Sequence, residues 1–143
     1  MFLIIEDINE IKEHNCKLAY MRNLGNGKTH NYGSRYGQNI EPAGEYMTMD
    51  ELYNERPDKY MLPNYEYGFI TFNRPLIVDY VNTNGSGWKR TVSNMFNGLT
   101  GKKLSAAIKK AGYDGIITVS EYGPEEIVNL CGNKEILFIS WQI

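Results

Sequence analysis

The apolar residues of Lys102–Ala111 fall at helical spacing, with Leu104, Ala107, Ile108 and Ala111 at i, i+3, i+4 and i+7, and the pattern stops at Gly112. Beyond that glycine the period changes. Gly115–Val119 and Glu126–Leu130 read as strands, and Glu135–Ile143 as an aromatic-containing strand. Upstream, Lys17–Arg22, Gly68–Phe72 and Leu76–Tyr80 also read as strands, with Pro75 marking a bend or a sheet edge because it cannot donate to a ladder. Asp7 can cap a short helix whose apolar face is Ile4, Ile8 and Ile11, and Asp50 a helical turn through Leu52 and Tyr53. Val92, Met95 and Phe96 give Thr91–Phe96 a helical spacing. Helices come mostly early and strands mostly late, without regular alternation. That order predicts an α+β domain on antiparallel strands rather than a doubly wound sheet.

At 143 residues and 42% hydrophobic content the chain suits one domain spanning 1–143, with enough apolar matter for a core. A formal net charge of −2 gives no overall basic excess, which places nucleic acid behind other partners. Cys16 and Cys131 do not make a disulfide framework. His14 and His30 are not spaced with Cys or acids as metal ligands would be, so no metal site is expected. No run approaches the roughly 18 apolar residues of a membrane span. Met1–Ile5 is short, lacks a basic lead and runs into Glu6 and Asp7, unlike a signal peptide. The expectation is a cytoplasmic protein with no membrane partner.

Eleven tyrosines are unusual for this length, and each carries a flat apolar face with a polar tip, suited to stacking on a ring-shaped ligand or lining a wet groove. Asn23–Gly44 is poor in aliphatic residues and reads as a long loop. Its glycines Gly25 and Gly27 do not lead into a helix, so a hairpin turn is preferred to a phosphate cradle. The stretch Gly33–Thr48 holds Arg35, Tyr36, Glu41, Glu45 and Tyr46, a mixture that fits either a solvated loop or a ligand rim. Glu121, Glu125 and Glu126 flank one short loop, as exposed strand ends often do and as a cation-stabilising site would. Trp88 reads as a cap on the core, or as an acceptor contact beside Lys89 and Arg90.

A strand ending Tyr20-Met21-Arg22, a loop closing on Gly44-Glu45-Tyr46-Met47-Thr48, and Gly112-Tyr113-Asp114-Gly115-Ile116 followed by Glu126-Ile127-Val128 together resemble the ADP-ribosyltransferase fold. The likeness spans roughly Leu18 to Leu130 in order and spacing, and is to the small versions encoded by phages and mobile elements, including the polyvalent-protein type. It implies a split antiparallel sheet whose cleft binds NAD as a substrate, and transfer of ADP-ribose to a host macromolecule, a protein first. It implies Arg22 as the first-strand anchor, Tyr46 stacking on nicotinamide with Tyr36 and Thr48 beside the cofactor, and Glu126 as the acid, with Glu121 the alternative. Thr48 stands where many members carry Ser-Thr-Ser, and Arg22 with Tyr46 combines two family triads. The absence of a Glu-x-Glu pair argues against arginine as acceptor. Two other readings stay open. One is a binding module or inhibitor on the same fold. The other is a nucleobase-directed transferase with a basic rim of Lys28, Arg35, Lys89 and Arg90.

Overall fold

The computed structural model describes residues 16–24, 41–50, 62–79, 87–120 and 123–140. The helices expected from Asp7 and Asp50, and Tyr36 and Glu121 with their loops, lie outside these residues. The described chain forms β1 (Cys16–Asn23), β2 (Glu45–Met49), β3 (Tyr65–Phe72), β4 (Pro75–Asp79), α1 (Trp88–Met95), α2 (Gly101–Lys110), β5 (Gly115–Ser120), β6 (Gly123–Asn129) and β7 (Asn133–Ser140). The strands make one seven-stranded sheet in the order β4-β5-β6-β2-β1-β3-β7.

The α+β expectation stands, with a sheet that is mixed rather than wholly antiparallel: five of its six strand pairings are antiparallel. β4 and β5 pair in parallel, Leu76 beside Ile116, while the other neighbours run antiparallel. The cause is the connection. A hairpin joins antiparallel strands, whereas a parallel return needs a crossover, and here α1 and α2 lie between β4 and β5. Pro75 opens β4, the edge strand, where its missing N–H costs least.

Both faces of the sheet are apolar. On one, Leu76, Val78, Ile116, Tyr46 and Val128 pack with Trp88 and Val92 of α1 and Leu104 and Ile108 of α2. On the other, Cys16, Leu18, Tyr20, Met47, Ile70, Phe72, Ile117 and Ile127 form a second cluster. Trp88 is fully buried, so it is a core residue. α2 ends as its spacing predicts: Gly112 has φ +102°, a conformation that costs a side chain-bearing residue dearly.

The Gly-Tyr-Asp-Gly motif is a joint. Asp114 accepts from the amides of Asn73 and Arg74 through its two carboxylate oxygens, 2.7 and 3.1 Å away, closing the β3–β4 turn. Its carbonyl accepts from Leu130 and Cys131 N. A Cβ on Gly115 would collide with the Phe72 ring. These residues are accounted for by packing alone.

The face carrying Tyr20 also holds an ion network across five strands. Arg22 pairs with Glu45 (3.6 Å), Glu45 with Lys134 (2.9 Å), and Lys134 with Glu66 (3.0 Å). Tyr20 Oη donates to Glu66 (2.6 Å) and Asn129 Nδ2 to Glu45 (2.8 Å). Burial opposes ionisation of Glu45, but the hydrogen bonds from Lys134 and Asn129 and the charges of Lys134 and Arg22 hold its carboxyl below the ordinary 4.5. The unfolded chain therefore takes up this proton at higher pH than the folded one. The stabilisation is complete above the ordinary value and is lost as pH falls through the depressed one. Glu45→Gln is expected to lower stability at neutral pH and to flatten its decline below pH 4.5, read by urea titrations at several pH values.

Candidate functional site

β6, β2 and β1 are adjacent, and their register builds a row on the helix-bearing face. Glu126 stands opposite Thr48, Thr48 opposite Met21, and Met21 opposite Tyr67. Side chains alternate along a strand, so Thr48 shares a face with Tyr46, and Asn23 with Met21. A hollow of about 130 Å³ opens there, lined by Met21, Asn23, Tyr46, Met47, Thr48, Tyr65 and Glu126.

The structure brings together Tyr46, Thr48 and Glu126 of the expected site residues. Arg22 is placed elsewhere. It shares the other face with Cys16, Leu18 and Tyr20, 3% exposed and paired with Glu45, so it does not join the hollow. Tyr36 and Glu121 lie outside the described residues.

Tyr46 is more a wall than a platform. It is 8% exposed, belongs to the core under α1, and donates from its hydroxyl to Pro42 O at 2.6 Å. Burial, with the Glu41 and Glu126 carboxylates adding, pushes its phenol above the ordinary value, so it stays protonated and keeps that bond. Lys89 Nζ stands 5.6 Å from the ring centroid and pairs with buried Glu41 at 2.6 Å. The segment leading into β2 is pinned as well. Ala43 N donates to Gly101 O, Gly101 N to Glu41 O, and Ser105 Oγ to Ala43 O.

Three residues that sequence reasoning missed complete the site. Asn23 and Tyr65, paired across β1 and β3, form its far wall. Tyr65 is half-buried, and its ring centroid lies 6.2 Å from that of Tyr67. Their alternation in Tyr65-Glu66-Tyr67 was the available signal, hidden by the acid between them. The third is Thr118, fully buried on β5. The β5–β6 register shifts between Ile117 and Val119, which pair with Ile127 and Pro124, so Glu125 and Glu126 together oppose Thr118. Such a bulge re-aims a side chain. Thr118 Oγ1 fixes it by accepting from Glu126 N (3.0 Å) and donating to Glu126 O (3.1 Å).

Thr118→Val, nearly isosteric, strips the hydroxyl from both backbone groups. It is expected to cost about 1–3 kcal/mol of stability and to disturb the Glu126 carboxylate, whereas Thr118→Ser restores both. Thermal melts of the pair check this; a Val variant as stable as wild type contradicts it.

Chemically, the hollow offers one carboxylate, a hydroxyl, an amide and aromatic edges in a small, partly apolar recess. Among the described residues no group of His, Cys, Asp and Glu could hold a metal ion. No helix among them is long and apolar enough to cross a membrane. No protein-family model, curated protein or solved structure matches the chain.

Proposed function

We propose that the protein is an NAD-dependent ADP-ribosyltransferase-like enzyme, with Glu126 as the acid of the site and a host macromolecule, a protein first, as acceptor. The observation that supports this best is the convergence of Glu126, Thr48 and Tyr46 on one hollow. The three strands of the resemblance, β1, β2 and β6, are also consecutive in the sheet. Breaking the nicotinamide–ribose bond develops positive charge on the ribose, which a fixed carboxylate stabilises as it forms. At about 130 Å³ the hollow is well below the roughly 300–1,000 Å³ of common ligand pockets. It takes one ring of the dinucleotide, and the rest lies across the surface outside. Tyr65, rather than the enclosed Tyr46, is the ring placed to stack. Asn23 replaces Arg22 as the polar contribution from β1.

Arg22's engagement with Glu45 favours a second reading: a binding module on the same scaffold that occupies a partner's surface. Thermal melting with millimolar NAD and chromatographic detection of nicotinamide separate the two. Stabilisation by NAD with nicotinamide release in a host lysate is expected of the enzyme. Neither effect at millimolar NAD leaves the binding module.

A further inference from the structure

The chain's charge is unevenly distributed. Between Asp79 and Asp114 lie six of its 15 Lys and Arg and none of its 17 Asp and Glu, making this stretch formally +6 and the remainder −8. The stretch contains both helices of the described residues. Lys89 is engaged with Glu41, and the other five bases, Arg90, Lys102, Lys103, Lys109 and Lys110, are exposed.

On α2 the buried residues are Leu104, Ser105 and Ile108. At ~100° per residue the four lysines flank exposed Ala106 on the side opposite Leu104 and Ile108. Lys102 and Lys109, like Lys103 and Lys110, stand two turns apart, about 10.5 Å along the axis. Lys109 and Lys110 suit the helix's C-terminal turn. Lys102 and Lys103 occupy its first turn, where the helix dipole opposes positive charge, no acid offsets them and the Thr100 side chain makes no capping bond. Helix stability does not account for them.

We propose that the outward side of α1 and α2 binds the phosphate backbone of double-stranded DNA. The composition of the ridge selects this occupant. Stable attachment to a membrane takes an apolar face beside the basic one, and α2 keeps Leu104 and Ile108 in the core, leaving Met95 of α1 as the one large apolar side chain exposed on the two helices. Protein interfaces are depleted in lysine and use buried aromatic anchors, which the ridge lacks. Single strands bind by stacking on aromatic rings, and among the described residues none stands between these lysines on α2. Duplex RNA is recognised by 2′-hydroxyl as well as phosphate contacts, and among the described residues only Ala106, with no hydrogen-bonding side chain, lies between the two lysine pairs. Point charges on long stems fit a duplex read for charge alone. This surface requires neither NAD nor Glu126, so it stands or falls apart from the proposed transfer reaction.

The test is fluorescence anisotropy of a labelled mixed-sequence DNA duplex of about 20 base pairs with the full chain and no NAD. Five phosphate contacts, from Arg90 and the four lysines, give a log–log salt slope of about −4.5, hence roughly 500-fold weaker binding at 200 mM than at 50 mM salt. Replacing Lys102, Lys103, Lys109 and Lys110 together by Gln is expected to weaken binding at 50 mM salt by about 10-fold or more and to flatten the slope. Should that variant not fold, Lys102→Gln with Lys103→Gln carries the same test with about half the change in slope. Arg90→Gln is expected to reduce the slope by about one. The proposal is overturned if wild type fails to bind at 50 mM salt or if the lysine variants bind as wild type does. Tighter binding to single-stranded DNA, duplex RNA or phosphatidylserine vesicles than to the DNA duplex overturns it equally.

Discussion

Glu126→Gln is expected to lower the rate of the proposed ADP-ribose transfer by about 10²-fold or more, with any NAD affinity and the melting temperature close to wild type. Charge on the ribose develops only as the bond to nicotinamide breaks, so the carboxylate matters more to the transition state than to the bound substrate. Gln keeps the size and much of the hydrogen bonding, and Thr118 still clamps the backbone at this position. The loss belongs in kcat, with KM little changed. Glu125→Gln is expected to be nearly silent, since Glu125 does not line the hollow. Single-turnover nicotinamide release from the two variants decides the matter. Full activity in Glu126→Gln together with a dead Glu121→Gln would move the acid to Glu121 and leave the enzyme reading intact.

Local periodicity carried much of the fold and little of the site. The helix at Lys102–Ala111 was legible because one of its faces is buried and the other is lysine. Gly112 ended it for a reason visible in one residue. The strands were legible as apolar runs, but their facing was not. β1, β2 and β6 are buried on both sides, with Tyr20 and Met47 in one cluster and Tyr46 and Val128 in the other. Alternation therefore leaves no polar face to orient them. That is why Arg22 and Tyr46 read as partners and lie on opposite faces. β3 begins at Tyr65 rather than Gly68, and the buried Glu66 within it is held by Tyr20 and Lys134, both remote in sequence. Thr118 sat unremarked in an apolar run. Its role depends on a bulge in the neighbouring strand, which no local pattern encodes. Glu41 and Lys89 were legible as charges but not as a buried pair, since that required α1 to dock on the segment entering β2.

That pair carries the largest expected effect on stability. Lys89 Nζ and Glu41 Oε2 are 2.6 Å apart, with side chains 11% and 2% exposed. Taking two ions out of water is costly, and their attraction with added hydrogen bonds offsets it only while both remain. Lys89→Met leaves the Glu41 carboxylate buried without its ammonium and is expected to destabilise the protein by about 3–5 kcal/mol. For a chain of this size that lowers Tm by roughly 10 °C or more. The Lys89 stem packs near two aromatic rings, its Nζ 5.6 Å from the Tyr46 centroid and 5.8 Å from that of Trp88, so Met retains much of this packing. Changing both partners, Lys89→Met with Glu41→Met, removes the buried carboxylate as well and is expected to recover most of the loss, because an apolar pair of similar volume often matches a buried ion pair. The double-mutant cycle, measured by urea unfolding, isolates the coupling. Its sign also bears on the site. Pro42, next to Glu41, accepts the Tyr46 hydroxyl bond, so the pair, the segment entering β2 and the wall of the hollow form one unit. A double variant that regains stability but not NAD-dependent stabilisation would mean that the charges themselves set Tyr46 in place. If it regains both, the pair acts through packing alone. A Lys89→Met variant as stable as wild type would refute the buried pair as a stability determinant.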